Sequence, residues 1–493
     1  MRFVWGGQWL PLGSNIHETM FDTCHRYCEK HGRFTLKWGL NMFQITIRSI
    51  TLVVLLGVLA ACAGNTPYRG NIQATCIAHQ ETDCTDSALQ HHAPQQGDEY
   101  YLGFVEYDDQ GQLRDRKQLQ AVLDGLYPIA GTQDVLIVVF VHGWQHNASP
   151  GDANVAAFRQ LLTKLARVEH DRKNGRKVLG IYLGWRGESV TVPGLKQLTF
   201  WERKNTAHEV GQQGITEVLL KLEEIVNVKA GMEESVPKPI NSRLVVIGHS
   251  FGGAVVYAAL QQVLTDRFID SRRGKTHAGG AQGFGDLVVL VNPAFEALRY
   301  APLYDLSQER CRGFRDQLPL LAILTSENDL ATKYAFPTGR AFSTLFEAHN
   351  TLIRNTCSEL GKEVEQLIDE GTADRQTVGH FVPYLSHRLN PASSQPRRAS
   401  TSDFRQLKAL WSEQSFGGKI PFEGSELVHL GKTQPLNPYL NIQVEKTLIA
   451  DHNDIWGDQV LNFVRDLILI STLPESTAQP DESGIDGTAR TIK

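Results

Sequence analysis

The sequence predicts an α/β protein: a mainly parallel sheet with helices on both faces and a cap-like insertion before the last strand. Three features carry this expectation. Short apolar runs rich in Val and Ile, such as DVLIVVFV at 134–141, lack the alternation of a strand with one wet face, which suits strands buried on both sides. These runs alternate with segments of helical periodicity, which calls for right-handed crossovers between parallel neighbours. The rhythm stops after about residue 340 and resumes near residue 440, so the intervening hundred residues read as an insertion.

The elements follow in order. Residues 62–98 are polar and rich in turn formers (NTPYRG, QETDCTDS, HHAPQQGD) and read as a tether, so the core, spanning 99–340, is expected to start near Glu99. YLGFVEY reads as its first strand and DRKQLQAVLDGL as its first helix. After DVLIVVFV, a helix over 153–169 places Phe158, Leu161, Leu162 and Leu165 on one face, and KVLGIYLGW at 177–185 is the next strand. A helix over 205–228 aligns Ile215, Val218, Leu219 and Leu222. LVVIGH, AVVYAALQQVL, DLVVLVN and LPLLAILTS then read as strand, helix, strand, strand. Residues 341–438 form the insertion or cap, with a low-complexity loop, NPASSQPRRASTS, at 390–402. Residues 439–472 return to the core, with TLIA as strand and a closing helix that lines up Val460, Phe463, Val464, Leu467 and Ile468. The tail, 473–493, reads as disordered.

At 493 residues, 41% hydrophobic and 21% charged, the chain can bury a sizeable core. A net charge of −5 gives no basic footprint, which argues against nucleic acid as a partner. The long uncharged apolar run, ITLVVLLGVLAA at 50–61, is too short to span a bilayer. Read from Met42, with Arg48 ahead of that run and small residues behind it, residues 42–61 form an export signal. Residues 1–41 then read as an upstream extension ahead of the true start; their Cys24, His25, Cys28 and His31 fit no ordinary zinc-finger spacing. Leu59-Ala60-Ala61-Cys62 resembles the lipobox of bacterial lipoproteins. That resemblance implies lipidation of Cys62, and Ala63 behind it favours the periplasmic side of the outer membrane. Export leaves Cys76, Cys84, Cys311 and Cys357, which allow two disulfides. Cys76 with Cys84 and Cys311 with Cys357 are the local pairings among three connectivities, and reduced thiols are the alternative.

Between LVVIGH and AVVYAAL lies Gly248-His249-Ser250-Phe251-Gly252, a G-x-S-x-G pattern in the strand–turn–helix context that its chemistry needs. A serine on so sharp a turn points its hydroxyl away from both elements, and the following helix aims its N-terminal N–H groups at charge that forms beside it.

With that motif the chain resembles the α/β-hydrolase superfamily over about 100–340 and 440–470. The resemblance implies an α/β-hydrolase-type sheet, Ser250 as nucleophile, and FVHGW at 140–144 on a strand beside the nucleophile strand. Backbone N–H groups of Trp144 and Phe251 would form the oxyanion hole, with His142 stabilising the turn. The acid would be Asp329 in SEND, with Glu327 a rival and Glu296 a weaker one. The base must follow the acid in this fold. Of His349, His380, His387, His429 and His452, the resemblance selects His452, in DHNDIW before the closing helix; His380 could instead line the pocket. Asp451 and Asp454 read as caps of that helix. The run GWRGESVTVPGLKQLTFWERK at 184–204 reads equally as pocket lining or as an Arg-paired packed loop.

A narrower resemblance is to uncharacterised bacterial hydrolase lipoproteins. The expectation is a serine esterase, held to the membrane by Cys62, acting on an ester or lipid-like small molecule with no metal or organic cofactor. Acyl transfer by the same residues is the nearest alternative. A non-catalytic envelope scaffold is the alternative from another class.

Overall fold

Parallel strands buried on both faces organise the molecule. The computed structural model describes residues 66–472 apart from 74, 78–82, 94–96, 173–174, 188–199, 232–240, 274–279, 312–313, 315, 359 and 394–400. The upstream extension, the signal segment, Cys62 and the tail 473–493 lie outside the described residues, and so does most of 184–204. All described residues belong to one compact unit; the other, Met1–Gly64 with Val190–Val192, lies outside them.

The described strands are β1 (Cys76–Ile77), β2 (Leu89–His92), β3 (Tyr100–Glu106), β4 (Val135–Val141), β5 (Lys177–Gly184), β6 (Arg243–His249) and β7 (Leu287–Val291). After them come β8 (Leu321–Ser326), β9 (Thr351–Cys357), β10 (Glu363–Asp369), β11 (His387–Pro391), β12 (Lys419–Phe422), β13 (Ser425–His429) and β14 (Tyr439–Val444). The helices are α1 (Arg116–Thr132), α2 (Ala153–His170), α3 (Phe200–Gln212), α4 (Gly214–Gly231) and α5 (Phe251–Arg273). Then follow α6 (Ala297–Gln308), α7 (Phe336–Ser343), α8 (Glu370–Arg375), α9 (Thr401–Ser412) and α10 (Asp458–Thr472). None of them is long and apolar enough to cross a membrane.

Twelve strands form one sheet in the order β1-β2-β3-β5-β4-β6-β7-β8-β14-β11-β13-β12. From β3 through β11 every neighbouring pair is parallel. All seven residues of β4 are buried, because alternate side chains enter two different cores. Ile137, Val139 and Val141 pack with α1, α4 and α5 residues such as Leu119, Val218 and Val255. Leu136, Val138 and Phe140 pack with α2 and α10 residues such as Phe158 and Leu467. The helices start where short acids cap them: Asp115 accepts from the Lys117 N–H and Asp152 from the Asn154 N–H.

The topology also places the site. The strand after β4 is added on one side of it and the strand after β6 on the other, so the order reverses between β4 and β6. A crevice opens at the carboxyl ends of strands at such a reversal, and ligands bind there.

Three expectations need correction. The fold starts well before Glu99, because β1 and β2 join the sheet and Arg69 is buried. The Arg69 side chain donates to Ala148 O (2.7 Å) and lies 4.1 Å from the Phe104 ring centre. An edge strand such as LQHH is held by main-chain pairing to β3, so it needs no apolar pattern and reads as tether. The insertion is not all cap: β11, β13 and β12 extend the sheet beyond β14, and their half-buried alternation is what made them read as polar. The hairpin β9–β10 stands outside the main sheet. Finally, the last core strand is Tyr439–Val444, and TLIA at 447–450 is a turn. Both local disulfides are formed, Cys76–Cys84 and Cys311–Cys357.

Candidate active site

Ser250 lies between β6 and α5 with φ of 55°, a left-handed conformation that costs a non-glycine residue energy and needs support from around it. The support is main-chain. Ser250 N–H donates to Val291 O (2.9 Å), and Ser250 O accepts from Ala254 N–H (3.2 Å) and Ala294 N–H (3.1 Å). Two glycines let neighbouring backbone close on the turn. A Cβ at Gly143 would stand 2.8 Å from the Ser250 Cβ, and one at Gly252 would collide with the carbonyl oxygens of Val141 and His142. Larger residues at either position would push the β4 loop away from the serine.

Three residues far apart in sequence meet here. His452 Nε2 is 2.7 Å from Ser250 Oγ, and His452 Nδ1 is 2.8 Å from Asp329 Oδ2. Asp329 follows β8 and is fully buried. Burial pushes its carboxyl pKa up, but hydrogen bonds and charge from His452, with those from Thr332, outweigh it and hold the pKa below the ordinary value. Its Oδ1 accepts from Ala331 N–H (3.0 Å) and Thr332 N–H (3.1 Å), and its Oδ2 from Thr332 Oγ1 (2.5 Å). An ionised Asp329 fixes the Nδ1–H tautomer of His452, which leaves the Nε2 lone pair to accept the Ser250 proton.

The His452 loop is strapped to the strand ends by side chains. His452 O accepts from His249 Nε2 and from Asn292 Nδ2, both at 3.0 Å. Ser326 Oγ donates to Ile449 O and Asn328 Nδ2 to Ala450 O, each at 2.7 Å. Burial, and next the neighbouring His452, push the His249 pKa down to about 3, so it stays neutral. Sequence reasoning missed His249, Asn292, Ser326, Asn328 and Thr332 as parts of the site. Polar residues that end the apolar strands β6, β7 and β8 at their carboxyl ends were the available signal.

The other candidates are engaged elsewhere. Glu327 pairs with Arg388 (2.8 Å), and Glu296 is buried among Lys204, Arg299 and Arg340. His387 and His429 meet edge-on across the β11–β13 pair, and His349 lies 3.5 Å from Asp374. His380 Nε2 is 3.0 Å from Thr332 Oγ1, one hydrogen bond removed from Asp329. His142 accepts from Trp185 N–H (3.0 Å), and its Nδ1 faces Gly143 O (2.9 Å), so it braces the turn as expected. Asp451 and Asp454 differ from expectation: they close the turn at 450–454, accepting from Asn453, Asp454 and Ala450 N–H groups, rather than capping α10.

A cavity of about 170 Å³ opens over Ser250, lined by Trp144, Gln145, His146, Ala294, Thr332 and His452 among others. Gln145, like Ser250, has positive φ (68°), so both walls of the cleft are tight turns. Trp144 lies in the loop over Ser250 and Phe251 begins α5, which places both residues beside Ser250. The described end of 184–204 is packed: Trp185 stacks on His142, and Arg186 and Arg203 pair with Asp109. A larger cavity, about 420 Å³, lies by β2 and α1, away from these groups. Glu347, His349 and Asp374 are grouped closely enough to ligate a cation, but Arg340 already sits on Asp374 (2.8 Å) and reaches Glu347 (3.8 Å).

Compared with protein-family models, curated proteins and solved structures, the chain finds no match in any of the three.

Proposed function

We propose that this chain is a serine hydrolase of the α/β-hydrolase type that cleaves carboxylic esters. The observation that carries the reading is the continuous run of hydrogen bonds from Ser250 Oγ through His452 to buried Asp329. Three placements support it: β4 with its HG turn flanks β6, the acid follows the second strand after β6, and the histidine precedes the last helix. Ser250 Oγ attacks the ester carbonyl as its proton passes to His452 Nε2, while Asp329 holds the imidazolium. The backbone N–H groups of Trp144 and Phe251 are assigned to the oxyanion, a role in which one donor lowers the barrier by about 3–4 kcal/mol. The alcohol leaves with the proton from His452, and water, deprotonated by His452, releases the acid. The cavity is smaller than the roughly 300–1,000 Å³ of pockets that enclose a whole ligand, which suits a short acyl group held beside Ser250 with the alcohol part outside.

The envelope anchor at Cys62 belongs to the same proposal. LAAC after an apolar run supports it, as do two disulfides of the kind that persist in oxidising compartments.

The test is pre-steady-state turnover of a chromogenic short-chain ester. The expected result is a burst of one leaving group per active chain in wild type and none in Ser250→Ala. A folded wild type that shows no turnover overturns the reading.

A further inference from the structure

Of thirteen large apolar side chains that are exposed among the described residues, ten fall within residues 330–382. They start at the site. Ala331 and Thr332 line the cavity over Ser250, and their neighbours Leu330 and Tyr334 are 60% and 59% exposed. Phe342 near the end of α7 and Leu345 and Phe346 just beyond it continue the series, with Phe346 98% exposed. The exposed side chains of the hairpin, Ile353 opposite Leu367 and Leu360 at the tip, are separate from this series, since β9 runs along α6 to the Cys311–Cys357 bridge at the far end of that helix. Single exposed apolar residues are ordinary, but such a concentration in one segment marks a surface that is covered in use.

The entry point of the chain says what covers it. The N–H groups of Tyr68 and Arg69 donate to the Glu106 carboxylate (3.0 and 2.9 Å), and Arg69 Nε donates to Ala148 O. Glu106 ends β3 and Ala148 lies in the loop after β4, so the chain joins the sheet at the carboxyl ends of its parallel strands. Ser250 after β6, and Asp329 and Leu330 after β8, occupy that same edge. Cys62 precedes Arg69 by seven residues, a reach of at most about 25 Å even when fully extended. A lipid on Cys62 would therefore be tethered from the active-site edge. The exposed charges beside the series at 330–346 are of both signs, Lys333 against Glu347, so it carries no field that selects anionic lipid.

We propose that residues 330–346 form an apolar crest that seats the active-site edge on a zwitterionic lipid surface. The cleft then takes esters presented at that surface. The docking stands on the exposed residues and the chain's entry point; the use of surface-borne esters rests on the hydrolase reading of Ser250.

The experiment uses the full chain carrying Cys62→Ser, which removes the covalent lipid, with and without phosphatidylcholine vesicles. Hydrogen exchange is expected to slow within 330–346 on vesicle addition and to stay unchanged in α10. Phe342→Ser with Phe346→Ser is expected to weaken vesicle partitioning at least tenfold, since both rings lose their apolar burial. Wild-type partitioning is expected to survive about 0.5 M NaCl, where surface charge is screened within a few ångströms. Unchanged exchange across 330–346, equal partitioning of the double variant, or loss of binding in salt overturns the crest. Turnover of a water-soluble short ester separates the two proposals. If wild type cleaves it and 330–346 gains no protection, the crest fails and the hydrolase stands; if 330–346 is protected and wild type cleaves nothing, the hydrolase fails and the docking surface stands.

Discussion

Ser250 and His452 are aligned mainly by backbone and neutral side-chain groups around them. The serine is fixed by Val291, Ala254 and Ala294 through backbone hydrogen bonds, and the histidine by donors from His249 and Asn292 on its carbonyl. Asp329 adds the one ionised contact, and Thr332 keeps its second lone pair occupied. Replacing the carboxylate with an amide keeps the shape but lets His452 adopt the wrong tautomer. Asp329→Asn is therefore expected to lower kcat by about 10⁴-fold with an unchanged melting midpoint, read by ester turnover and circular dichroism. A fall of less than about tenfold would mean that His452 is oriented without it. At this scale the sequence was legible where a residue ends an apolar run: Ser250 after LVVIGH, Asp329 after LAILTS. It was silent on Asn292 and His249 as a clamp, because a bond to a carbonyl 160 or 203 residues away leaves no local pattern.

Among the elements, the hairpin β9–β10 depends most on a covalent tie. It pairs with no other strand of the sheet, and Cys357 at the end of β9 is joined to Cys311 in the turn after α6. The bridge closes a separation of 46 residues, for which loop-closure entropy alone gives about 4 kcal/mol of stabilisation. Cys311→Ser with Cys357→Ser is expected to lose up to that amount in denaturant unfolding. Limited proteolysis should then cut within 351–369 before any site in β4, β6 or β7; a digestion pattern identical to wild type would contradict it. The sheet centre was readable because strands buried on both faces are continuous apolar runs. Its two edges were not, since β2, β11, β12 and β13 each carry a wet face or polar side chains and are held by main-chain pairing.

The whole molecule stores neutral histidines in its interior. Burial is the leading cause that pushes His142 and His380 down to about 4 and His387 down to about 3; in His387 the neighbouring His429 adds to it. The unfolded chain protonates these rings near pH 6.5 while the folded chain does not, so stability is lost as pH falls from about 6.5 to 4. Each ring contributes roughly 1.4 kcal/mol per pH unit across that window. Glu296, which burial opposes but Lys204 and Arg299 hold at about 2, adds a second loss between its ordinary carboxyl range and pH 2. Unfolding free energy measured from pH 7 to 4.5 should fall steeply, and His387→Gln, remote from Ser250, should be less stable at pH 7 but show a shallower fall. An equal slope would contradict a buried neutral His387. The most direct measurement of the central claim is intact-mass and peptide mapping after exposure to a fluorophosphonate. A single adduct on the peptide bearing Ser250, absent in Ser250→Ala and reduced in His452→Ala, is the expected result. A folded wild type that stays unlabelled, or an adduct that persists in Ser250→Ala, would contradict it.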